Sequence, residues 1–494
     1  MRILYIDIDA LRPDRLGCYG YHRDTSPAID QIAREGVRFN NCFTPDAPCL
    51  PSRTAMYSGR FGIQSGVVGH GGTAAEPKHA GATRGFRDLF DEQGLAGQLQ
   101  RAGFHTAMVS PFGQRHAAWW FYAGFNEIHN TGKGGIELAD DVDPVLFPWI
   151  ERNLSRDNWF LHVNFWDVHT PYRTPAEYGE PFAGEPLPKH LDDLDFIRRQ
   201  NAMTGPHTSM DVSMYNDVVN PRYPRHPGRV DDRASLRKMV DGYDTAIRYV
   251  DDRVARMVAM LKQANIYDDT AIIISADHGE NFGELGLWGE HATADIATCR
   301  VPLIVKWPGS TQAGKVDDHF RYNVDMAPTM MELLDRKACP IWDGASYAGV
   351  LRGTDLSPAR DEVIISQCAH VCQRSVRWDR WLYVRTYHCG FHLFPDEMLF
   401  DVVADPYQQN DVAGTETAAV REGAWRLQRW HSQQMAKMPQ DKQDPLWTVI
   451  EEGGPCHARH DAKDSPLPKY IERLEATGRA DGAEALRQKY AKFL

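Results

Sequence analysis

A chain of 494 residues with 42% hydrophobic and 25% charged side chains is long enough for two or three globular domains and ordinary in composition for a folded enzyme. A net charge of −12 excludes an overall basic molecule, and with it a nucleic-acid or anionic-membrane surface spread over the protein. No run of about 18 apolar residues is present, which excludes a transmembrane helix of the usual kind.

In chain order, residues 3–8 read as an apolar strand directly after the first residues, with no leader-like stretch, and the expected compartment is the cytoplasm. The nine cysteines are odd in number and lack framework spacing, which fits a reduced compartment better than a disulfide scaffold. Helical periodicity and caps appear at 26–35, 51–58, 95–102 and 236–264; strands are expected at 106–110, 160–165, 271–275 and 303–306. Apolar strands alternating with helices imply an α/β fold whose mostly parallel sheet is covered on both faces. In such sheets the chemistry collects beyond the carboxyl ends of the strands. Residues 201–230, rich in Pro, Met, His and Asn and without a period, read as a long excursion or lid. Beyond about 362 short strands at 363–365, 381–385 and 398–400 look antiparallel, and 466–494 looks helical. The expected division is an α/β domain over 1–362 and a smaller α+β domain over 363–494. Cys368-Ala-His-Val-Cys372 has a zinc-like spacing, but no second pair accompanies it, and ordinary packing is preferred.

Three stretches carry chemistry, each just after an expected strand. Asp7 and Asp9 point to the same side of a buried strand, where an unpartnered carboxylate is very costly and a cation is the economical explanation. Asp277 and His278 leave the apolar run 271–275 together. Oxygen-dominated ligands favour a hard cation, calcium first, with magnesium or manganese as alternatives. The third stretch is Cys49-Leu50-Pro51-Ser52-Arg53. Pro51 suits a first helical turn, so Cys49 is expected at the mouth of a short helix, whose free N–H groups and dipole cradle anions. That setting, with Arg53 one turn on, reads as one that lowers a thiol's pKa.

The Cys-x-Pro-Ser-Arg motif followed by Ser58-Gly59-Arg60 resembles the sulfatase signature. Asp9…Arg12-Pro13-Asp14-x-Leu16-Gly17-Cys18-Tyr19-Gly20, His169-Thr170-Pro171-Tyr172, Asp277-His278-Gly279-Glu280 and Arg300-Val301-Pro302-Leu303 extend the likeness. With Asp325-Met326-Ala327-Pro328-Thr329 and the Leu399-Phe400-Asp401…Asp405-Pro406-x-x-x-Asn410 stretch, it reaches about residue 412. The resemblance implies an alkaline-phosphatase-like fold with a smaller antiparallel C-terminal part. It implies conversion of Cys49 to formylglycine by a formylglycine-generating or equivalent maturase. It also implies a divalent cation on Asp9, Asp277, His278 and residue 49, with Asp7 a further candidate. One hydroxyl of the hydrated aldehyde would attack sulfur, Arg53 and the cation would hold the developing charge, and His169 and His291 would handle protons. His162, in the same strand as 160–165, reads as structural.

The chain departs from the family pattern at three places. Ala10 stands where many sulfatases carry a second aspartate. The family's Gly-Lys-Trp-His stretch is replaced by Ser110-Pro111-Phe112-Gly113-Gln114-Arg115-His116, leaving Arg115 or His116 to bind sulfate. The lysine often found after Leu-Trp is Glu290. The expected activity is therefore a sulfuric ester hydrolase acting on a small or chain-terminal sulfated molecule, a sugar being the expected class, with no nucleic acid or membrane partner. The rival is a phosphonate monoester or phosphodiester hydrolase of the same superfamily. His388, His392 and Asp396 are candidates for the pocket rim.

Overall fold

The computed structural model describes residues 1–494 apart from 79–88, 355–358, 439–442 and 462. In chain order its strands are β1 (Arg2–Ile8), β2 (Val37–Phe43), β3 (Asp46–Ala47), β4 (His105–Val109), β5 (Glu127–His129), β6 (Trp159–Phe165) and β7 (Thr270–Ser275). They continue with β8 (Arg300–Lys306), β9 (Lys315–Tyr322), β10 (Glu362–Gln367), β11 (Cys372–Trp378), β12 (Trp381–His388) and β13 (Glu397–Asp401). Among the described residues, eight of them form one sheet in the order β5-β4-β6-β1-β7-β8-β2-β9. From β5 to β7 every neighbour is parallel, and β8 alone runs against its two partners. The sheet is the mostly parallel, mixed one expected for an α/β fold.

The central strands β1, β6 and β7 are buried at every residue, as an apolar strand covered on both faces must be. The 31-residue helix Arg233–Gln263 packs with the helices Pro27–Glu35 and Ala139–Asn153. The helix Cys49–Ser58 packs with Leu95–Arg101 and Met326–Leu333. Its ten residues are all buried, so this helix lies inside the molecule.

A second sheet, in the order β13-β12-β11-β10-β3, is antiparallel from β13 to β10. Its last strand comes from far upstream: Asp46 and Ala47 pair in parallel with Ser366 and Gln367. The two residues just ahead of the Cys49 helix are thus stitched to the C-terminal sheet. A small apolar cluster of Phe43, Ala47, Ala55, Tyr322, Val363 and Ile365 packs across the joint.

The excursion at 201–230 has no helix or long strand, and it is tied down. Asp211 takes ion pairs from Arg473 and Arg479 and a hydrogen bond from the Tyr470 hydroxyl. Tyr470 and Arg473 lie on the tail helix Leu467–Ala476, which is followed by the helix Ala480–Lys489. Among the described residues, no helix is long and apolar enough to cross a membrane.

Candidate functional site

The site forms where β1 and β7 end side by side. Parallel pairing sets Asp7 opposite Ser275, so Asp9 and the Asp277-His278 pair leave the sheet together. The helix Cys49–Ser58 points its first residue at them. Cys49, only 2% exposed, lies with Sγ 3.0 Å from His278 Nε2. One donor atom from each of Asp9, Cys49, Asp277 and His278 falls within 4.8 Å of the other three.

Arg53, one turn into the helix, holds the carboxylates. Its Nη1 donates to Asp9 Oδ2 at 2.9 Å and to Asp277 Oδ2 at 2.7 Å; its Nε and Nη2 donate to the two oxygens of Asp7 at 2.7 and 3.1 Å. Asp7 Oδ2 also contacts His162 Nε2 at 3.2 Å, and the Tyr57 hydroxyl meets His162 Nδ1 at 2.5 Å. Both Asp7 oxygens are therefore engaged with Arg53 and His162, and Asp7 is not among the grouped donors. His162 braces Asp7, in keeping with a structural part.

The electrostatics fit a divalent cation. Three buried carboxylates face one guanidinium, and Asp9 Oδ1 is buried without a hydrogen-bond partner, 3.8 Å from His278 Nε2. Burial, outweighing Arg53, together with the neighbouring Asp9 and Asp7 charges, pushes Asp277 well above the usual carboxylate range. Burial acts the same way on Asp9, but Arg53 and then His169, His278 and His291 hold it below that range. A bound cation would relieve the excess negative charge and fill the orphaned oxygen.

The helix mouth does not make Cys49 acidic. Burial first, then the Asp9 and Asp277 carboxylates, raise its thiol well above the ordinary value, overriding Arg53. The low pKa expected from the helix N-terminus is corrected accordingly: the thiol faces two carboxylates in a closed space. The Leu50 N–H at the mouth is taken by His70 Nε2 at 3.3 Å.

His169 and His291 stand beside His278. His291 stacks on His278 with ring centroids 3.9 Å apart, and His169 lies 4.9 Å from His291. Burial drives His169 well below the ordinary imidazole range, against the pull of Asp9. Arg115 lies over the Trp166 ring at 5.0 Å and is exposed. His116 packs 5.0 Å from His70 and 4.5 Å from Phe112, and burial lowers its pKa to about 3.

His207, His370 and His457 escaped the sequence reading, and Glu290 figures there only as a departure from the family pattern. Glu290 contacts His291 Nε2 at 3.0 Å, His207 Nε2 at 3.1 Å and His370 Nε2 at 3.7 Å. Burial opposes its charge, but the facing imidazoles of His291, His207 and His370 hold its pKa well below the usual range. His370 stacks on His457 at 4.3 Å, and His457 Nε2 lies 3.4 Å from His70 Nδ1. Among the described residues a file of imidazoles thus runs from the Cys49 helix to the C-terminal part. His370 lies in the turn after β10, inside the Cys368–Cys372 stretch that the sequence reads as packing, and His457 in the short 3-10 turn Cys456–Ala458, which no motif marks. Of the rim candidates, His388 stacks on His460, His392 on Phe394, and the Asp396 carbonyl accepts from Thr386. Cys368 and Cys372 are packed with Val68, Ala74, Leu446 and Val449. All nine cysteines are free thiols.

Comparison with known proteins agrees with this architecture. The sulfatase family profile matches residues 2–336, and that of the N-sulphoglucosamine sulphohydrolase C-terminal region matches residues 283–432. The chain is 26% identical to human iduronate 2-sulfatase over 370 residues, which cover 67% of this chain and 65% of that protein. It is 23% identical to an N-acetylglucosamine-6-O-sulfatase of Bacteroides thetaiotaomicron over 479 residues, 83% of this chain and 82% of the other. In fold it is similar to a phosphonate monoester hydrolase of Agrobacterium radiobacter, with a TM-score of 0.67 and 19% identity over 88% of this chain and 96% of that one.

Proposed function

The chain belongs to the sulfatase family, and from that premise we propose that it is a sulfuric ester hydrolase releasing sulfate from a small or chain-terminal sulfated sugar. The observation that carries the reading is the convergence of Cys49, Asp9, Asp277 and His278 at the mouth of a buried helix, with Arg53 binding the carboxylates from within.

Asp9, Asp277, His278 and residue 49 would hold the divalent cation, calcium being the first choice for an oxygen-rich set. With Cys49 matured to formylglycine, the hydrated aldehyde and the cation together supply an activated hydroxyl nucleophile and offset charge on the sulfuryl oxygens. The remaining work falls to the chain's own side chains. Arg53 fixes Asp9 and Asp277 and keeps positive charge beside the reacting centre. His169 has Nδ1 on the Thr170 carbonyl at 2.5 Å, which leaves Nε2 to exchange a proton. His291 has Nε2 on Glu290, which leaves Nδ1, buried and without a partner. These two nitrogens are the proposed sites of proton transfer to the leaving oxygen and from residue 49.

Arg115 and His116 are the proposed sulfate contacts at the outer edge. His70, packed 5.0 Å from His116, and the neighbouring His457 and His370 are the proposed contacts to the sugar. Burial lowers all three, His457 to about 4, so they are neutral at pH 7 and suited to hydroxyl groups. A net charge of −12 supports a small or terminal substrate over the interior of a polyanion. The sulfated-sugar assignment follows the names of the two relatives above.

The test uses purified enzyme with residue 49 converted, and matched aryl sulfate, phosphodiester and phosphonate monoester substrates. The sulfate ester is expected to give the highest kcat/KM, and mono- and disaccharide sulfates to be cleaved faster than intact sulfated polysaccharide. A preference for phosphonate or phosphodiester would replace the reading with the rival one. Faster release from polymer interiors would overturn the substrate size.

A further inference from the structure

Three imidazoles around Cys49 share one arrangement. His278 Nδ1 is held by the Gly279 carbonyl at 2.8 Å, His169 Nδ1 by the Thr170 carbonyl at 2.5 Å, and His291 Nε2 by the Glu290 carboxylate at 3.0 Å. In a neutral imidazole the nitrogen facing such an acceptor carries the proton, and the other presents a bare lone pair. Among the described residues the opposite nitrogens have no backbone acceptor, and His278 Nε2 faces Cys49 Sγ at 3.0 Å, Asp277 Oδ2 at 3.3 Å and Asp9 Oδ1 at 3.8 Å. One donor atom from each of Cys49, His169, His278 and His291 lies within 4.8 Å of the other three, and all four residues are buried. His291 Nδ1 is buried with no hydrogen-bond partner. Histidines anchored through the far nitrogen by a carbonyl or carboxylate are what metal-bound histidine requires, since the far bond fixes both tautomer and ring direction.

This donor set differs in kind from the carboxylate-rich one. One thiolate and three imidazoles suit a borderline-soft tetrahedral ion, with bonds of about 2.0–2.3 Å and donors roughly 3.3–3.8 Å apart. The Cys49–His278 separation of 3.0 Å is already near that range. We propose that the chain with Cys49 still a thiol is a zinc-binding form, in which Cys49, His169, His278 and His291 hold the ion. Binding exchanges the thiol proton for the metal: Zn²⁺ and the S–H give the zinc thiolate and a released H⁺. The set shares Cys49 and His278 with the hard-cation site, so the two ions exclude each other. Replacing the thiol by an aldehyde removes the only sulfur ligand and shifts the balance to the carboxylate set. None of this depends on which ester the mature enzyme hydrolyses.

The experiment uses the full chain with Cys49 unconverted, verified by peptide mass spectrometry and stripped of metal. Zinc is titrated against a chromogenic chelator, and cobalt(II) is followed by absorbance. One zinc per chain is expected, with a thiolate-to-cobalt charge-transfer band and the strong visible bands of tetrahedral cobalt. Cys49→Ser, nearly isosteric, should abolish the charge-transfer band and weaken zinc at least 100-fold. His291→Ala and His169→Ala should each weaken it at least 10-fold. Asp9→Asn, which removes a carboxylate that is not among the four zinc donors, should keep zinc at one per chain. Absence of the charge-transfer band would overturn the proposal. So would zinc affinity that is unmoved in the histidine variants and lost in Asp9→Asn, which would put the ion in the carboxylate set.

Discussion

At position 53 a single guanidinium touches Asp7, Asp9 and Asp277, so each carboxylate has a different part in the balance. Asp277 bonds Arg53 and also belongs to the cation donors, whereas Asp7 turns both oxygens to Arg53 and His162. Asp277→Asn is expected to lose divalent-cation binding and turnover together, by 100-fold or more in kcat. Asp7→Asn should keep one cation per chain and lose only part of the activity, because Arg53 retains two partners. Calorimetric titration beside steady-state kinetics separates the two outcomes, and full activity in Asp277→Asn would refute the cation assignment. These residues were legible in the sequence because strand, turn and acid follow one another without a gap. His70, His370 and His457 were not. They come from three separate turns, and although His370 sits in the Cys368–Cys372 stretch, no local period distinguishes an imidazole that will join this file from one that will stack on a tyrosine.

Among the elements, the helix Pro27–Glu35 shows how a cap can come from elsewhere. Ser26 looks like its N-cap, yet the Ser26 side chain makes no capping bond and instead donates to Asp30 Oδ1 at 3.1 Å. The free N–H groups of Ala28 and Ile29 are both taken at 2.9 Å by Asp251, on the neighbouring helix Arg233–Gln263. Asp251→Ala is expected to destabilise the fold by about 1–2 kcal/mol, the usual effect of a lost cap. A lower denaturant midpoint with an unchanged slope would show it; an unchanged midpoint would mean the cap is dispensable. The buried strands and long helices were readable because burial imposes its period on the residues. The helix Ala139–Asn153 was hidden by Pro144 and Pro148, which read as breakers. Edge strand β9 was hidden because three of its eight residues are exposed and two more half-buried, and β3 because two residues carry no period.

For the whole molecule, the division into 1–362 and 363–494 stands as our proposal, with β3 exchanged across it. Asp46 on that strand is buried, and burial raises its pKa to about 7; burial does the same to Asp167 and Asp251. An unfolded aspartate titrates near 3.9, so between roughly pH 4 and 7 the folded chain keeps protons that the unfolded chain has lost. Stability from these groups is therefore complete below about pH 4 and falls as pH rises toward 7. Asp444 acts the other way: against burial, Arg374 holds it below the usual range at 2.6 and 2.7 Å, and that stability goes as pH falls below about 4. Unfolding curves should show a maximum in the mildly acidic range, and Asp46→Asn should flatten the alkaline side; a rise in stability from pH 5 to 8 would contradict this. Residue 49 is the centre of the proposed chemistry. The most direct measurement is the rate of sulfate release from an aryl sulfate, plotted against the fraction of Cys49 found as formylglycine by peptide mass spectrometry across preparations matured to different extents. A line through the origin is predicted, with Cys49→Ala at zero; turnover that persists when every chain carries unmodified Cys49 would contradict it.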